Sequence, residues 1–364
     1  VVVAVNRPLC PLTTALRKPA RIGELFGKER LQELDENLYL FSPRYMLHDH
    51  LARRSPFLVR RNLNSLRRSY RSLTARLGVS EPRPLVWFYY PQQSYVTELF
   101  DASLRIYEIH DNLSDIFGSE NTLLADLERE VRHRVDLLLT TSRALWKLHG
   151  ANYPDAFHLG NGLDRESFDR FMQCAVEAAP EIQAINSPRI GFAGVISERL
   201  EWDILTELAR RRPEWNFIFA GPIINQNSTA KMRAFPNAHF VGEFHQSQVP
   251  SVLKGFDIGL MPYLDTVFFR RSNPLKFYEY AAAGLPSVSS EIEELRAFPA
   301  ELVTVAGSDP DRWEEALERY LVSDRVAVRA IGRDIARKFI WEDMTDSLLE
   351  KINSCLAKQV SVQK

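Results

Sequence analysis

Short apolar runs recur along the chain, and several are followed by longer stretches in which apolar residues return every three or four positions. In the first half, VVVAV (1–5), LYLF (38–41), PLVWFYY (84–90), LRIYEIH (104–110), VDLLLT (135–140) and AFHLG (156–160) predict strands, with helices over 120–134 and 142–149. A second series opens with a strand at 189–193 and a helix near 203–211. It continues through strands at 216–220, 239–243 and 256–262, with a helix near 249–254. Apolar segments 285–288 and 303–306 predict two more strands, and 291–296, 311–320 and 341–357 predict helices. Strands alternating with helices imply α/β architecture with parallel sheets covered on both faces. The pattern loosens between 169 and 188, where a linker between two Rossmann-like domains is expected.

A length of 364 residues suits two domains, and 45% hydrophobic with 26% charged residues describes a globular chain with a core of ordinary size. The formal net charge of −1 gives no reason to expect nucleic acid as a partner. No apolar run is long enough to span a bilayer. Cys10, Cys174 and Cys355 are far apart and lack metal-ligand spacing, so they are expected to be free thiols in a reducing compartment. One segment departs from the neutral balance: residues 51–80 carry eight arginines, from Arg53 to Arg76, and no acid. Leu63, Leu66, Tyr70, Leu73 and Leu77 recur there at helical spacing. The segment is read as a surface helix packed by its apolar face, whose cationic remainder could meet anionic lipid or a phosphate-linked acceptor.

The stretch 271–290, RSNPLKFYEYAAAGLPSVSS, says most about chemistry. Ser272 and Asn273 predict helix caps, Pro274 suits a first helical turn, and Gly284 is a natural stop. A helix start with free N–H groups and the positive end of the dipole attracts phosphate, and Leu275 and Lys276 would face a pyrophosphate there. Glu279, five residues inside, could accept hydrogen bonds from a pair of sugar hydroxyls. Together these describe a nucleotide-sugar site. A capped helix with a solvated Glu279 fits the spacing equally well.

The string resembles the donor-site signature of the family-4 (group 1) glycosyltransferases. In that family two glutamates separated by seven residues bracket the segment, the second preceding an Ala-rich turn that ends in Gly-x-Pro. Glu279 with AAAGLP matches the second, which the resemblance implies would hold the ribose; the first would fall at Arg271 and is absent. A subgroup resembling this chain carries Pro-Leu-Lys-x-x-Glu-Tyr instead.

The resemblance implies a GT-B fold of two facing Rossmann-like domains. Residues 1–170 would form the acceptor side, 171–188 the linker, 189–340 the nucleotide-sugar domain, and 341–364 a helix and tail returning to the first domain. Such enzymes open with a strand, a Gly-rich turn and a helix. No glycine lies between residues 1 and 21, so the first βα unit is expected to be incomplete in this numbering.

Other matches fall in the family's order. IYEIHDNLSD ends a strand with His110 and Asp111, where ligands of parallel sheets gather, and resembles the family's His-acid-x-x-Ser loop. His110 would contact the donor sugar, and Asp111 would orient it or the acceptor hydroxyl. HLGNGLD, with Asn161 and Gly162, resembles the turn closing the first domain and is read as architectural. Gly194 ends the first strand of the second domain, where backbone can approach a phosphate. Arg199 resembles the arginine aimed at the diphosphate; pairing with Glu198 or Glu201 is the competing reading. FVGEF, with Gly242 and Glu243, matches the strand and loop that hold the base through backbone groups, which leaves uracil and guanine undistinguished.

The resemblance implies a glycosyltransferase that moves a sugar from a nucleotide diphosphate sugar to a carbohydrate or lipid-linked acceptor in polysaccharide or glycoconjugate assembly. Anomeric configuration would be retained, with no metal and no cofactor beyond the donor substrate. A cytoplasmic place at the inner membrane surface would follow. A nucleotide-sugar epimerase of the same fold and a non-catalytic nucleotide-binding or partner subunit stay open as alternatives.

Overall fold

The computed structural model describes residues 2–5, 29–43, 55–79, 83–91, 97–117, 122–173 and 177–362. Cys10, Cys174, Arg53, Arg54 and most of the segment expected to hold the opening βα unit lie outside them. The chain divides into two compact units, one of Val1–Glu108 with Asn121–Leu137 and the other of Ile109–Glu120 with Leu138–Lys364. Residues 171–188, expected as a linker, lie within the second unit, and 177–188 include a helical turn at Pro180–Gln183.

In the first unit β1 (Val2–Val5) pairs in parallel with β3 (Leu38–Ser42), as the pattern predicts. β2 (Arg30–Asp35), unpredicted from sequence, pairs antiparallel with β3, so this sheet is mixed. Its run RLQELD has too few apolar residues to advertise a strand, and all but one of its residues are exposed; Asn37 makes the hairpin turn at φ 61°. β4 (Leu85–Phe88) pairs in parallel with β5 (Leu104–Ile109). The Pro56–Arg76 helix buries Leu63, Leu66 and Leu73, and Tyr70 packs between Phe41, tilted at 5.8 Å, and Phe100, edge-on at 4.8 Å. Its apolar face is therefore committed to the protein's own core.

In the second unit β6 (Leu137–Thr140) pairs in parallel with β7 (Ala156–His158). The larger sheet contains β8 (Arg189–Ala193), β9 (Asn216–Ala220), β10 (Ala238–Gly242), β11 (Ile258–Met261), β12 (Ser287–Ser289) and β13 (Val303–Val305). All its pairings are parallel and the spatial order is β10-β9-β8-β11-β12-β13. Strand order reverses at the β8/β11 boundary, and ligands of doubly wound sheets settle at the carboxyl ends of strands beside such a reversal.

Apolar clusters cover both faces of the sheet. One contains Phe277, Tyr278 and Tyr280 from the Leu275–Ala283 helix, and the other Phe192, Phe217, Phe219 and Trp313. The Arg325–Arg337 helix, also unpredicted, packs against Leu275–Ala283: a Cβ on Gly332 would stand 2.6 Å from the Ala281 carbonyl oxygen. Its signals were an Asp324 cap and apolar residues at Val328, Ile335 and Ala336, interrupted by four arginines. The final helix runs Trp341–Val362, longer than predicted. It is entered through a parallel bridge between Leu163 and Ile340, with Leu163 N donating to Phe339 O at 2.9 Å and Trp341 N to Leu163 O at 2.8 Å.

Candidate functional site

The site grows from the reversal of strand order. β8 ends at Gly194, whose φ of 146° is in a region side chains avoid. A Cβ there would collide with the Lys276 side chain, and a Cβ on Gly221 would collide with the Gly194 carbonyl, so two glycines bring backbone and lysine together. The Lys276 amine stands 5.5 Å from the centre of the Phe192 ring. Burial holds this amine below its ordinary range and the nearby Glu279 carboxylate partly restores it. Burial raises Glu279, and Lys276 opposes the rise. A cation and an anion kept together in poor solvent gain strength toward a charged or hydroxylic ligand.

The Leu275–Ala283 helix is fixed in place by its own Tyr280. The phenol donates to Leu260 O of β11 at 3.0 Å and accepts from Ala193 N of β8 at 3.3 Å, tying the helix to both strands of the reversal. Gly284 closes the helix in the left-handed region at φ 72°, as predicted. The helix start differs from expectation. Pro274 itself occupies the cap position and no side chain caps the helix. Ser272 donates instead to Phe269 O at 2.8 Å, and Asn273 donates to Thr141 O at 2.9 Å while accepting from Tyr278 at 3.0 Å. The proline sets both polar residues too far upstream to reach the first turn, which leaves its N–H groups without a side-chain cap.

Leu264 N donates to Arg199 O at 2.9 Å, fixing the loop after β8 against the loop after β11. Of the two acids offered as competitors, Glu201 accepts from Asp265 N at 2.9 Å, and neither forms a salt bridge with Arg199 among the described residues. The charge felt by Arg199 lies elsewhere: Asp111 is raised by burial and lowered by His110 and Arg199. The His110–Asp111 loop and the arginine after β8 are thus electrostatic neighbours. His110 is exposed, and its carbonyl accepts from Thr141 Oγ1 at 2.8 Å. Glu108, the weaker candidate on the same strand, is buried and accepts from Trp87 at 2.8 Å.

Arg271 is joined to this loop. Its Nη1 donates to both oxygens of Asp115 at 2.9 Å, and its carbonyl accepts from Ser142 Oγ at 2.6 Å. Neither Asp115 nor Ser142 was singled out from sequence. Asn161 donates to Asn273 O at 3.1 Å, which makes its role architectural. The positive φ of this turn belongs to Gly160 (81°), while a Cβ on Gly162 would collide with the Phe339 carbonyl.

Gly242 ends β10 at φ 90° with open space where a Cβ would be, and its carbonyl accepts from Gly221 N at 2.7 Å; Glu243 is exposed. Leu275 and Glu279 also line a small cavity of about 110 Å³ with Asp164, Arg170, Gln246 and Trp341. The one Asp-x-Asp string in the sequence is Asp309-Pro310-Asp311. Asp309 accepts from Asp311 N at 3.0 Å as a helix cap, and Asp311 pairs with Arg211 at 2.5 Å. Among the described residues no cluster of His, Cys, Asp and Glu has the makings of a metal site.

Residues 187–323 match the family described as Glycosyl transferases group 1. The chain is 25% identical over 279 residues to the protein of Bacillus subtilis (strain 168) assigned to teichuronic acid biosynthesis as glycosyltransferase TuaH, covering 71% of this chain and 69% of that one. These matches support a glycosyltransferase whose second half is similar to the group 1 type. The solved structures agree on the GT-B fold. An α,α-trehalose-phosphate synthase (UDP-forming) from Burkholderia vietnamiensis superposes with TM-score 0.66 at 11% identity, over 98% of this chain and 99% of that one. The pneumococcal O-GlcNAc transferase GtfA, solved with UDP and GlcNAc, gives TM-score 0.53 at 14% identity, over 79% of this chain and 60% of its own. For this glycosyltransferase the family segment contains Gly194, Arg199, Gly242, Glu243, Lys276 and Glu279, but neither His110 nor Asp111.

Proposed function

We propose that this glycosyltransferase moves a sugar from a nucleoside diphosphate sugar to an acceptor hydroxyl, with retention of configuration and without a bound metal, in polysaccharide or glycoconjugate assembly. The observation that carries the reading is the convergence of Lys276 and Gly194 at the β8/β11 reversal, beside a helix start with no side-chain cap. In the proposed complex the diphosphate lies against that helix start, with Lys276 and Arg199 as counter-charges. Backbone N–H groups of Asn273 and Leu275 supply the remaining donors, that of Ser272 being committed to Phe269 O at 3.1 Å. Glu279 accepts from the ribose hydroxyls, and the strand end at Gly242 and Glu243 lets the base lie against backbone.

The bond from the anomeric carbon to the diphosphate oxygen breaks as the bond to the acceptor oxygen forms, and the acceptor proton passes to the departing phosphate. Negative charge grows on that phosphate, so preplaced cations and N–H groups lower the barrier. His110 and Asp111 act at the sugar and the acceptor. The teichuronic acid assignment of the Bacillus relative favours a polysaccharide acceptor. Work on such an acceptor would place the enzyme at the cytoplasmic face of a membrane. Among the described residues no helix is long and apolar enough to cross one.

The test is turnover of a panel of uridine and guanosine diphosphate sugars with soluble and lipid-linked acceptors, with and without chelator. A glycosyl product with the donor's anomeric configuration, unchanged by chelator, is expected. Epimerised donor, or binding without turnover across the panel, would replace the reading with one of its alternatives.

A further inference from the structure

We propose that the cationic face of the Pro56–Arg76 helix is a docking surface for a bilayer containing anionic phospholipid. The chain as a whole is close to neutral, yet this helix carries no acid, and Arg60, Arg68 and Arg71 are exposed along it. With Phe57, Arg61, Asn64 and Arg67 they line one open groove of about 560 Å³. The opposite face is spent on the core through Leu63, Leu66 and Leu73. The helix therefore presents its charge as part of the folded unit and does not need to peel away and embed.

Shape separates a membrane from a soluble anion. A single phosphate is held by donors converging on one point. From Arg60 to Arg71 the helix rises about 16 Å, so the guanidinium groups form a row matched to a plane of headgroups. Arg67 is already turned inward to the helix and its surroundings, donating to Asn64 Oδ1 and Glu98 O at 3.4 Å each. Phe57, 67% exposed at the leading end of the row, is an aromatic ring that water does not favour and a headgroup boundary does. Each arginine near an anionic surface should improve partitioning about fivefold. The surface does not depend on the donor chemistry proposed above.

The experiment measures co-sedimentation of the full chain with vesicles of phosphatidylcholine alone and with phosphatidylglycerol added. Binding to the anionic vesicles alone is expected, and it should fade with sodium chloride as the Debye length falls from about 10 Å at 0.1 M to about 3 Å at 1 M. The variant R60Q/R68Q/R71Q should bind about a hundredfold more weakly with an unchanged melting temperature, and Phe57→Ser should weaken binding further. If the triple variant does not fold, the single variants R60Q and R71Q and the salt titration of the natural chain carry the test. Equal binding to neutral vesicles, no loss in the variants, or displacement from vesicles by a soluble anionic oligosaccharide at matched charge overturns the proposal. Donor turnover with a soluble acceptor is read in parallel, so its loss and the loss of vesicle binding are told apart.

Discussion

Arg271 Nη1 lies 2.9 Å from both carboxylate oxygens of Asp115, joining the segment that leads into the Leu275–Ala283 helix to the segment that follows His110 and Asp111. Asp115 is 10% exposed, so its charge has little water to fall back on. Removing it strands the guanidinium, while removing both partners strands neither. Asp115→Ala is expected to cost about 2 kcal/mol, and Asp115→Ala with Arg271→Met less than the sum of the singles. Chemical denaturation of the three variants checks this; additive losses would mean the pair does not couple the two segments.

Glu279 and His110 should fail in different ways. If Glu279 holds the nucleotide, Glu279→Ala loses hydrogen bonds to a charged group and weakens donor binding about tenfold to a hundredfold. If His110 acts on the reacting sugar, His110→Ala lowers turnover far more than donor affinity. Calorimetry with the nucleoside diphosphate sugar, beside steady-state rates, separates the two. Unchanged affinity in the Glu279 variant removes that carboxylate from the site.

Gly194→Ala is a change of one methyl group that should act through Lys276. The backbone there, at φ 146°, strains any side chain, and the added Cβ would displace the lysine. Donor affinity should fall to about the level of Lys276→Met, and combining the two should cost little more than either alone. A double variant as weak as the product of the singles would show that the glycine acts through something other than the lysine.

His158 supplies a pH dependence. Burial, then the Arg143 charge, holds its imidazole below the ordinary 6.5. Glu294 stands 3.9 Å from Nε2, but its carboxylate is already bonded by Arg143 N at 2.6 Å and Nε at 3.3 Å, so burial dominates. The unfolded chain takes up the proton first as pH falls. The stability this group supplies is therefore full above 6.5 and is lost as pH drops toward the depressed folded value. Melting temperature should decline less steeply below pH 6.5 in His158→Gln than in the natural chain; parallel curves would assign the decline to other groups.

The apolar runs of the sequence were enough to place most strands, because a buried parallel strand must be nearly continuous in Val, Ile, Leu and Phe, as LLLT, NFIFA and IGLM are. The string from Pro274 to Gly284 likewise announced a helix with a lysine and a glutamate on its first turns, since proline and glycine act locally. What the sequence determined by itself was thus the α/β character and the helix ending at Gly284, with the lysine and glutamate it carries. β2 escaped because its run RLQELD has few apolar residues, and the Arg325–Arg337 helix because arginines interrupt its apolar positions and its packing partner, the Leu275–Ala283 helix, is distant in sequence. Tertiary structure alone decided that Ser272 and Asn273 do not cap, that Arg271 answers Asp115, and that Asp111 feels Arg199. Each depends on groups from 88 to 156 residues apart, or on a proline shifting a register, and pairwise Coulomb and hydrogen-bond energies exist only once folding has closed those distances.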